Sequence, residues 1–515
     1  MFSRGISDVA TAISDDAPAL QLTGWNRILL LVVVIASGAA YNAATFTASA
    51  ILPQMQGGMS ATQDEISWTV TFNILATAIV TPMTGWLVAR FGQRNILIAC
   101  LSGFIAATIM CGLSNSLEQI VLWRIMQGAA GAPLLPIGQT LLLDAFPRRQ
   151  HTLVISLFGM ANTIGPVAGP TLGGYLAEHY SWRWSFFMVV PLSALSLIGV
   201  IASMPRTRSD RHSRLDWIGF LSLSTAIACA QLVLSRGPKL DWFDSSEIIV
   251  EAVVGVLSFY LFLAHSLTAR HTFLNLALLR DRNYSVGLLL VMLFGMLNFT
   301  PMVLLPPLMQ GHLGFPDSVV GAVISWRGIG VAVGFCMSML TGRFDPRASM
   351  VFGFALQVIS GLWLINLNLD FSVSEFTINS FMQGLAVGLI WAPIATIAFS
   401  TLAAADRSEA VAVFHLVRNI GSSIFIALSI SEIIRATGAN YSRLGEQVSV
   451  FNKALIMPWV AGGWSIDSVA GLARLSRELN RQAAIIGYVN AFVMYTIAST
   501  LGIALTFLVR PKAAL

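Results

Sequence analysis

GPVAGPTLGG, residues Gly165 to Gly174, lies within an apolar stretch of about 152–177 that carries no charge before Glu178. A run of that length reads as a membrane-spanning helix. Gly165, Gly169 and Gly173 recur at spacings of four, so they share one face and let a neighbouring helix approach backbone to backbone. Gly174 adds a further small residue beside them. Pro166 and Pro170 each remove a backbone donor and bend the helix. A membrane helix tolerates this only where neighbours re-satisfy the freed carbonyls. Flat on one face and bent, this helix is a hinge candidate; ordinary small-residue packing is the competing reading of the glycines alone.

Working outward, the same character recurs along all 515 residues, of which 56% are hydrophobic and only 11% charged. A soluble domain carries roughly 25% charged residues. Fourteen apolar runs are each long enough for a ~30 Å hydrocarbon core: about 28–50, 66–89, 95–114, 118–143, 152–177, 184–204, 215–235, 246–267, 284–308, 318–341, 348–367, 375–401, 408–434 and 485–508. The expectation is an all-α polytopic membrane protein. Cys100, Cys111, Cys229 and Cys336 all fall within spans, so neither disulfides nor a metal site are expected. Residues 1–25 are polar, and Asp8, Asp15 and Asp16 interrupt any leader-like apolar run.

The charges orient the chain. With a cytoplasmic N-terminus, the inner segments hold eighteen arginines and lysines, Arg90, Arg94, Arg206, Arg347 and Arg407 among them. The short outer loops hold Arg183, Arg236 and Lys239. This asymmetry explains the net charge of +5 as a membrane-orientation signal and removes nucleic acid as a partner.

An internal repeat follows. Met126-Gln127-Gly128 recurs as Met382-Gln383-Gly384 and Gly165 as Gly421, both at an offset of 256 (382 − 126, 421 − 165); Gly85 recurs as Gly342 at 257 (342 − 85). Eight spans separate the members of each pair, so the two halves point the same way, as two parallel six-helix bundles do. The expected organisation is a cytoplasmic tail 1–27, a first bundle 28–204, a linker 205–283 carrying two inserted spans, and a second bundle 284–515. The second bundle includes an outer segment 435–484, within which 472–486 reads as an amphipathic helix. That helix would cap the outer surface or dock a partner.

Three arginines stand inside spans. Arg124 lies about two turns into span four in LWRIMQGAAGAP, Arg327 in span ten and Arg418 in span thirteen. A membrane-centre arginine costs ~2.5–3.5 kcal/mol on insertion scales, so each should face a cavity or a partner. The turn after span two, GWLVARFGQR (85–94), pairs glycines Gly85 and Gly92 with Arg90 and Arg94 at the inner face; a second copy begins at Gly342-Arg343.

Taken with ISWTVTFNILATAIVTPMTGWL (66–87), WRWSFFMVVP (182–191) and RQAAIIGYVNAF (481–492), these strings resemble the fourteen-span, EmrB/QacA-type drug:proton antiporter branch of the major facilitator superfamily. GxxxGPxxGG resembles its antiporter motif, RxxQG (Arg124, Gln127, Gly128) its coupling signature, and 85–94 its cytoplasmic latch loop. The resemblance implies two bundles that alternate access, export of drugs, exchange for protons, and coupling roles for Arg124, Gln127, Gly128, Arg327 and Arg418. In double-membrane bacteria it also implies a periplasmic adaptor protein and an outer-membrane channel as partners.

The chain departs from that branch where a proton is usually carried. Ala44 stands at the span-one position that usually bears aspartate, Asn490 stands for another acid, and the latch loop has Ala89 at its usually acidic fifth position. His415 is the central group whose ordinary titration lies nearest neutrality; as proton carriers the candidates are His415, Glu65 and Asp64, in that order. A lone membrane histidine also serves as a packing residue. The cavity is expected to be lined by Tyr41, Asn42, Thr45, Asn162, Asn298 and Gln383, with Asn73, Gln127, Gln139 and the two central arginines. Scattered polar groups on apolar walls suit amphipathic substrates, and net positive side chains favour neutral or anionic ones. The sequence thus predicts an exporter of amphipathic toxic compounds in the cell membrane, with both termini cytoplasmic. It needs no cofactor and is not an enzyme, since HExxH, GxSxG and Walker strings are absent. The alternative is an importer or facilitator of an organic anion that does not use protons.

Overall fold

The computed structural model describes residues 24–205, 215–269, 272–341, 345–368, 370–403, 406–449, 451–452, 455, 457, 464 and 468–509. Fourteen helices among them are long and apolar enough to cross a membrane: α1 Gly24–Ala50, α2 Glu65–Phe91, α3 Gln93–Leu113, α4 Leu117–Ala145, α5 His151–His179, α6 Trp184–Ser203, α7 Trp217–Lys239, α8 Ser246–Thr268, α9 Arg282–His312, α10 Ser318–Leu340, α11 Pro346–Ile365, α12 Val373–Phe399, α13 Arg407–Gly445 and α14 Val469–Thr506. The face on which α1 begins and α14 ends is the one where the sequence concentrates arginine, and is here the basic face.

Local chemistry sets the helix ends. Thr62 and Glu65 form a capping box at the start of α2, and Ser372 and Glu375 form another at the start of α12. Gly92 takes φ +81° between α2 and α3, a left-handed turn that glycine adopts without strain. Helix α5 runs unbroken through Pro166 and Pro170.

The repeat is visible in the packing. In the first half α1 packs on α5 and α6, α2 on α4, and α3 on α4; in the second, α9 packs on α13 and α14, α10 on α12, and α11 on α12. The halves meet through equivalent helices: α5 lies against α10 and α12, and α13 against α2 and α4. Leu52-Pro53 after α1 and Leu305-Pro306 in α9 add an offset of 253 (305 − 52) for the first helix of each half. The inserted pair, α7 and α8, packs on itself, and α7 also touches α2 and α13. An apolar cluster of Ala78, Leu223, Phe262, Phe273 and Leu416 seats it there. Asp216, the N-cap of α7, accepts from the backbone of Gly219 and Phe273 (both 3.0 Å), which ties the linker to the inserted pair.

Spans thirteen and fourteen depart from the expected 408–434 and 485–508. Helix α13 has 39 residues and α14 has 38, and the expected amphipathic stretch 472–486 is the first part of α14 rather than a separate cap. At 1.5 Å per residue each is nearly 60 Å long, about twice the hydrocarbon thickness. Outside the apolar core each helix keeps its hydrogen bonds by simply continuing, and Tyr441 and Ser476, 2.9 Å apart, join the two extensions.

Candidate functional site

Arg124 is fully buried. Its Nε donates to the Thr69 carbonyl of α2 (3.2 Å), and its Nη1 to the Ala44 carbonyl of α1 (3.4 Å) and to Gln127 Oε1 (2.5 Å). Gln127 Nε2 continues to Thr108 Oγ1 on α3 (2.8 Å). Asn73 Nδ2 donates to the Arg124 carbonyl (2.8 Å), and Gly128 lets α2 close in: a methyl there would lie 2.3 Å from the Asn73 carbonyl oxygen. One arginine therefore ties together the first three helices of the bundle through the fourth. No carboxylate touches it among the described residues.

The second half repeats the plan with the charge moved. Arg327 on α10, also buried, donates to Gln383 Oε1 (2.9 Å) and to the Asn298 side-chain oxygen on α9 (3.1 Å). Gln383 Nε2 reaches Asn379 Oδ1 (3.0 Å), and a methyl on Gly384 would lie 2.0 Å from the Arg327 carbonyl. Among the described residues neither arginine has an ion pair.

The expected hinge glycines divide. Methyl groups on Gly165 and Gly169 would lie 2.6 Å from the Ala39 and 2.7 Å from the Ala43 carbonyl oxygens, and one on Gly173 would lie 2.2 Å from Thr47, so these three seat α1. Gly174 faces open space. Asn42 Nδ2 reaches Asn162 Oδ1 across the same seam (3.3 Å). Tyr41 bonds Thr77 (3.1 Å), and Thr45 Oγ1 returns to the Tyr41 carbonyl (3.0 Å).

Two polar contacts join the halves near the basic face. His415 Nε2 lies 2.7 Å from Gln139 Oε1 of α4, and Arg407 Nη1 donates to Asp144 Oδ1 (3.0 Å). Gly85 presses α2 on α13, where a methyl would lie 3.2 Å from the Glu409 Cα, and Arg94 Nη2 bonds the Ile201 carbonyl (3.2 Å). Arg90, beside Gly92 in that turn, is half-buried. Gly342 and Arg343 lie outside the described residues. Glu65 is held in its capping box, with the Thr62 N–H at 2.8 Å, away from this interface; the Asp64 side chain lies outside the description. Arg418 is half-buried, with Nε and Nη2 on Asn419 Oδ1 (3.2 and 3.0 Å) and its guanidinium carbon 5.5 Å from the Trp391 and 5.8 Å from the Phe299 ring centroid.

The family described as Major Facilitator Superfamily matches residues 30–299 and 287–438, covering both halves. The chain belongs to the major facilitator superfamily. It is 29% identical to the multidrug export protein EmrB of Escherichia coli (strain K12), over 87% of this chain and 88% of that protein. It is 26% identical to the fatty acid resistance protein FarB of Neisseria gonorrhoeae, over 91% and 93%. The solved structure of the human organic anion transporter MFSD10 (TETRAN) shares its fold, at TM-score 0.56 and 12% identity, over 91% and 99%. The chain is thus an EmrB-like, multi-pass superfamily transporter, and its fold and relatives are those of transporters rather than enzymes.

Within this superfamily fold, single residues were harder to read than strings. The Asp144–Arg407 bridge escaped the sequence because its partners are 263 positions apart and neither belongs to a repeat motif. Phe46, Phe299 and Trp391 read as ordinary core; only the 253 offset, which also pairs Phe46 with Phe299, singles two of them out.

Proposed function

We propose that this protein is a secondary exporter of amphipathic compounds that works by alternating access, in exchange for protons, in the inner membrane with both termini cytoplasmic. The observation that carries the reading is the pair of polar contacts between the halves, Asp144–Arg407 and Gln139–His415, both toward the basic face. Contacts of this kind close one end of a central path and must part for the other state. The halves 28–204 and 284–515 would move as bodies, with α5 and α13 as the sliding surfaces and Gly165, Pro166, Gly169, Pro170 and Gly173 setting the seam. His415 is the proposed proton carrier: its Nδ1 is buried without a partner among the described residues, and its Nε2 bridges the halves. A periplasmic adaptor and outer-membrane channel would be met by the extensions of α13 and α14.

A second reading, a facilitator of an organic anion driven by membrane potential, is favoured by one observation. Three arginines stand inside the bundle without a carboxylate partner among the described residues. One relative is named for resistance to fatty acids, which are amphipathic anions. A monoanion leaving a negative-inside compartment gains ~2.3 kcal/mol per 100 mV, enough for roughly a 50-fold gradient without any proton.

Proteoliposomes with an imposed pH gradient separate the two. Substrate moving against the proton gradient, lost on collapsing that gradient and lost in Arg124→Ala, is expected of the antiporter. Transport indifferent to pH but driven by a potassium diffusion potential would establish the facilitator instead.

A further inference from the structure

Arg418 has no counterpart to its charge. It begins about 17 Å along α13 from the basic-face end, eleven residues after Arg407, near the middle of the hydrocarbon core. The repeat pairs it with Asn162 (418 − 162 = 256), and the α1/α9 offset of 253 pairs Asn42 with Gly295. In the first half these positions hold two amides bonded to each other at 3.3 Å. In the second they hold an arginine and a glycine, and the glycine cannot be replaced by a partner: a methyl at Gly295 would lie 2.1 Å from the Arg418 carbonyl oxygen. The guanidinium therefore has only the uncharged Asn419 oxygen, its Nη1 makes no hydrogen bond to a described residue, and it is half-buried where Arg124 and Arg327 are sealed.

Aromatic rings flank it on two sides. Trp391 and Phe299 offer ring faces to the cation. Phe299 stacks on Phe46 of the first half, centroids 5.8 Å apart and planes 7° from parallel. Repeat-equivalent residues that touch each other lie at the pseudo-twofold axis, the one place that both halves share. The Nε1 of the buried Trp391 has no hydrogen-bond partner among the described residues, which leaves it able to donate to a ligand or a water.

We propose that Arg418, flanked by Trp391 and Phe299, is the headgroup subsite for an amphipathic organic anion, a carboxylate or phenolate, whose apolar body lies on Phe46 and Phe299. A cation held in low-dielectric surroundings attracts an anionic head and repels a cationic one. This assignment rests on the transport reading and specifies the substrate class for it.

The test uses the full chain in vesicles of zwitterionic lipid, which offer no anionic lipid as competitor. Three fluorescent probes share one alkyl body and end in a carboxylate, its methyl ester or a trimethylammonium. The wild type is expected to bind the carboxylate about tenfold or more tighter than the ester, and the ammonium weakest. In Arg418→Gln the carboxylate-to-ester ratio falls to about one, Arg418→Lys recovers part of it, and Trp391→Phe lowers it about threefold. An unchanged ratio in Arg418→Gln overturns the subsite, as does a wild type that binds the ammonium as tightly as the carboxylate. The wild-type comparison alone decides if the glutamine variant does not fold. Transport of the ester without any headgroup preference overturns the subsite and leaves the transport reading standing. Headgroup preference with no transport of any probe does the reverse.

Discussion

The two halves build the same framework and charge it differently. Each has a glutamine, Gln127 or Gln383, followed by a glycine that admits a carbonyl of the facing helix: Asn73 against Gly128, Arg327 against Gly384. That packing makes Asn73 and Arg327 spatial equivalents, and Arg124 the equivalent of Ser380 (380 − 124 = 256). The arginine that holds the glutamine thus comes from α4 in one half and from α10 in the other. A buried guanidinium with a glutamine acceptor recurs although no residue-by-residue match would pair the two arginines. The geometry around the glutamine, rather than the site of attachment, is what is repeated. The halves differ in what else the arginine holds. Arg124 bonds backbone carbonyls of two helices, while Arg327 bonds the carbonyl and the side-chain oxygen of a single residue, Asn298.

The largest effect should come from removing the more connected arginine. Arg124→Ala leaves Gln127 Oε1 buried without its donor, at ~1–3 kcal/mol, and removes the side-chain bonds to two helix carbonyls that keep their backbone partners; export at background level is expected, with a clear loss of thermal stability in detergent. Arg327→Ala should cost less, about tenfold in export, because beyond its glutamine Arg327 bonds one helix, through Asn298, where Arg124 bonds two. If the two losses are equal in efflux assays, the difference between the halves is only apparent.

Next come the helix seams. Methyl groups on Gly165 and Gly421 would meet the Ala39 and Met292 carbonyl oxygens at 2.6 and 2.4 Å. Alanine at either should cost ~1–3 kcal/mol through overpacking, read as a lower melting temperature, and by similar amounts if α1–α5 and α9–α13 are true equivalents. A smaller, diagnostic effect is expected from moving the charge. The pair Asn73→Arg with Arg124→Ser copies the second half into the first and should export more than Arg124→Ser alone, by several-fold; no gain over the single variant would refute the proposed equivalence of Asn73 and Arg327. Smallest is Gly174→Ala, which meets nothing within 4 Å and should change stability by less than ~0.5 kcal/mol. A loss there as large as at Gly165 would mean that the string acts as a whole rather than through its α1-facing residues.

Much of the fold was legible because bilayer physics writes itself into long apolar runs. Thirteen of the expected spans needed little beyond hydropathy to place their starts, and the offset of 256 identified the repeat. The start of α14 was not legible: once the chain leaves the hydrocarbon, apolar content falls while helix formation continues, so hydropathy places a boundary where the backbone has none. At the site, Arg124, Gln127 and Gly128 were read together from one string, and the structure bonds Arg124 to Gln127 and packs Gly128 on α2. The subsite proposed at Arg418 was not legible, because its distinguishing feature is the missing side chain at Gly295 on another helix.

By itself the sequence determined the helix number, the small-residue face of α5, the duplication and the buried arginines, all of which follow from side-chain volume and transfer energy along one chain. Only the tertiary structure decided which groups those arginines hold, that Asp144 bonds Arg407 and Gln139 bonds His415 across the halves, and that Phe46 meets Phe299. The pairings between the halves join residues 250 or more positions apart, and they depend on how two bundles are rotated about a shared axis. That rotation is set by many small packing contacts at once, none of which local composition or spacing encodes.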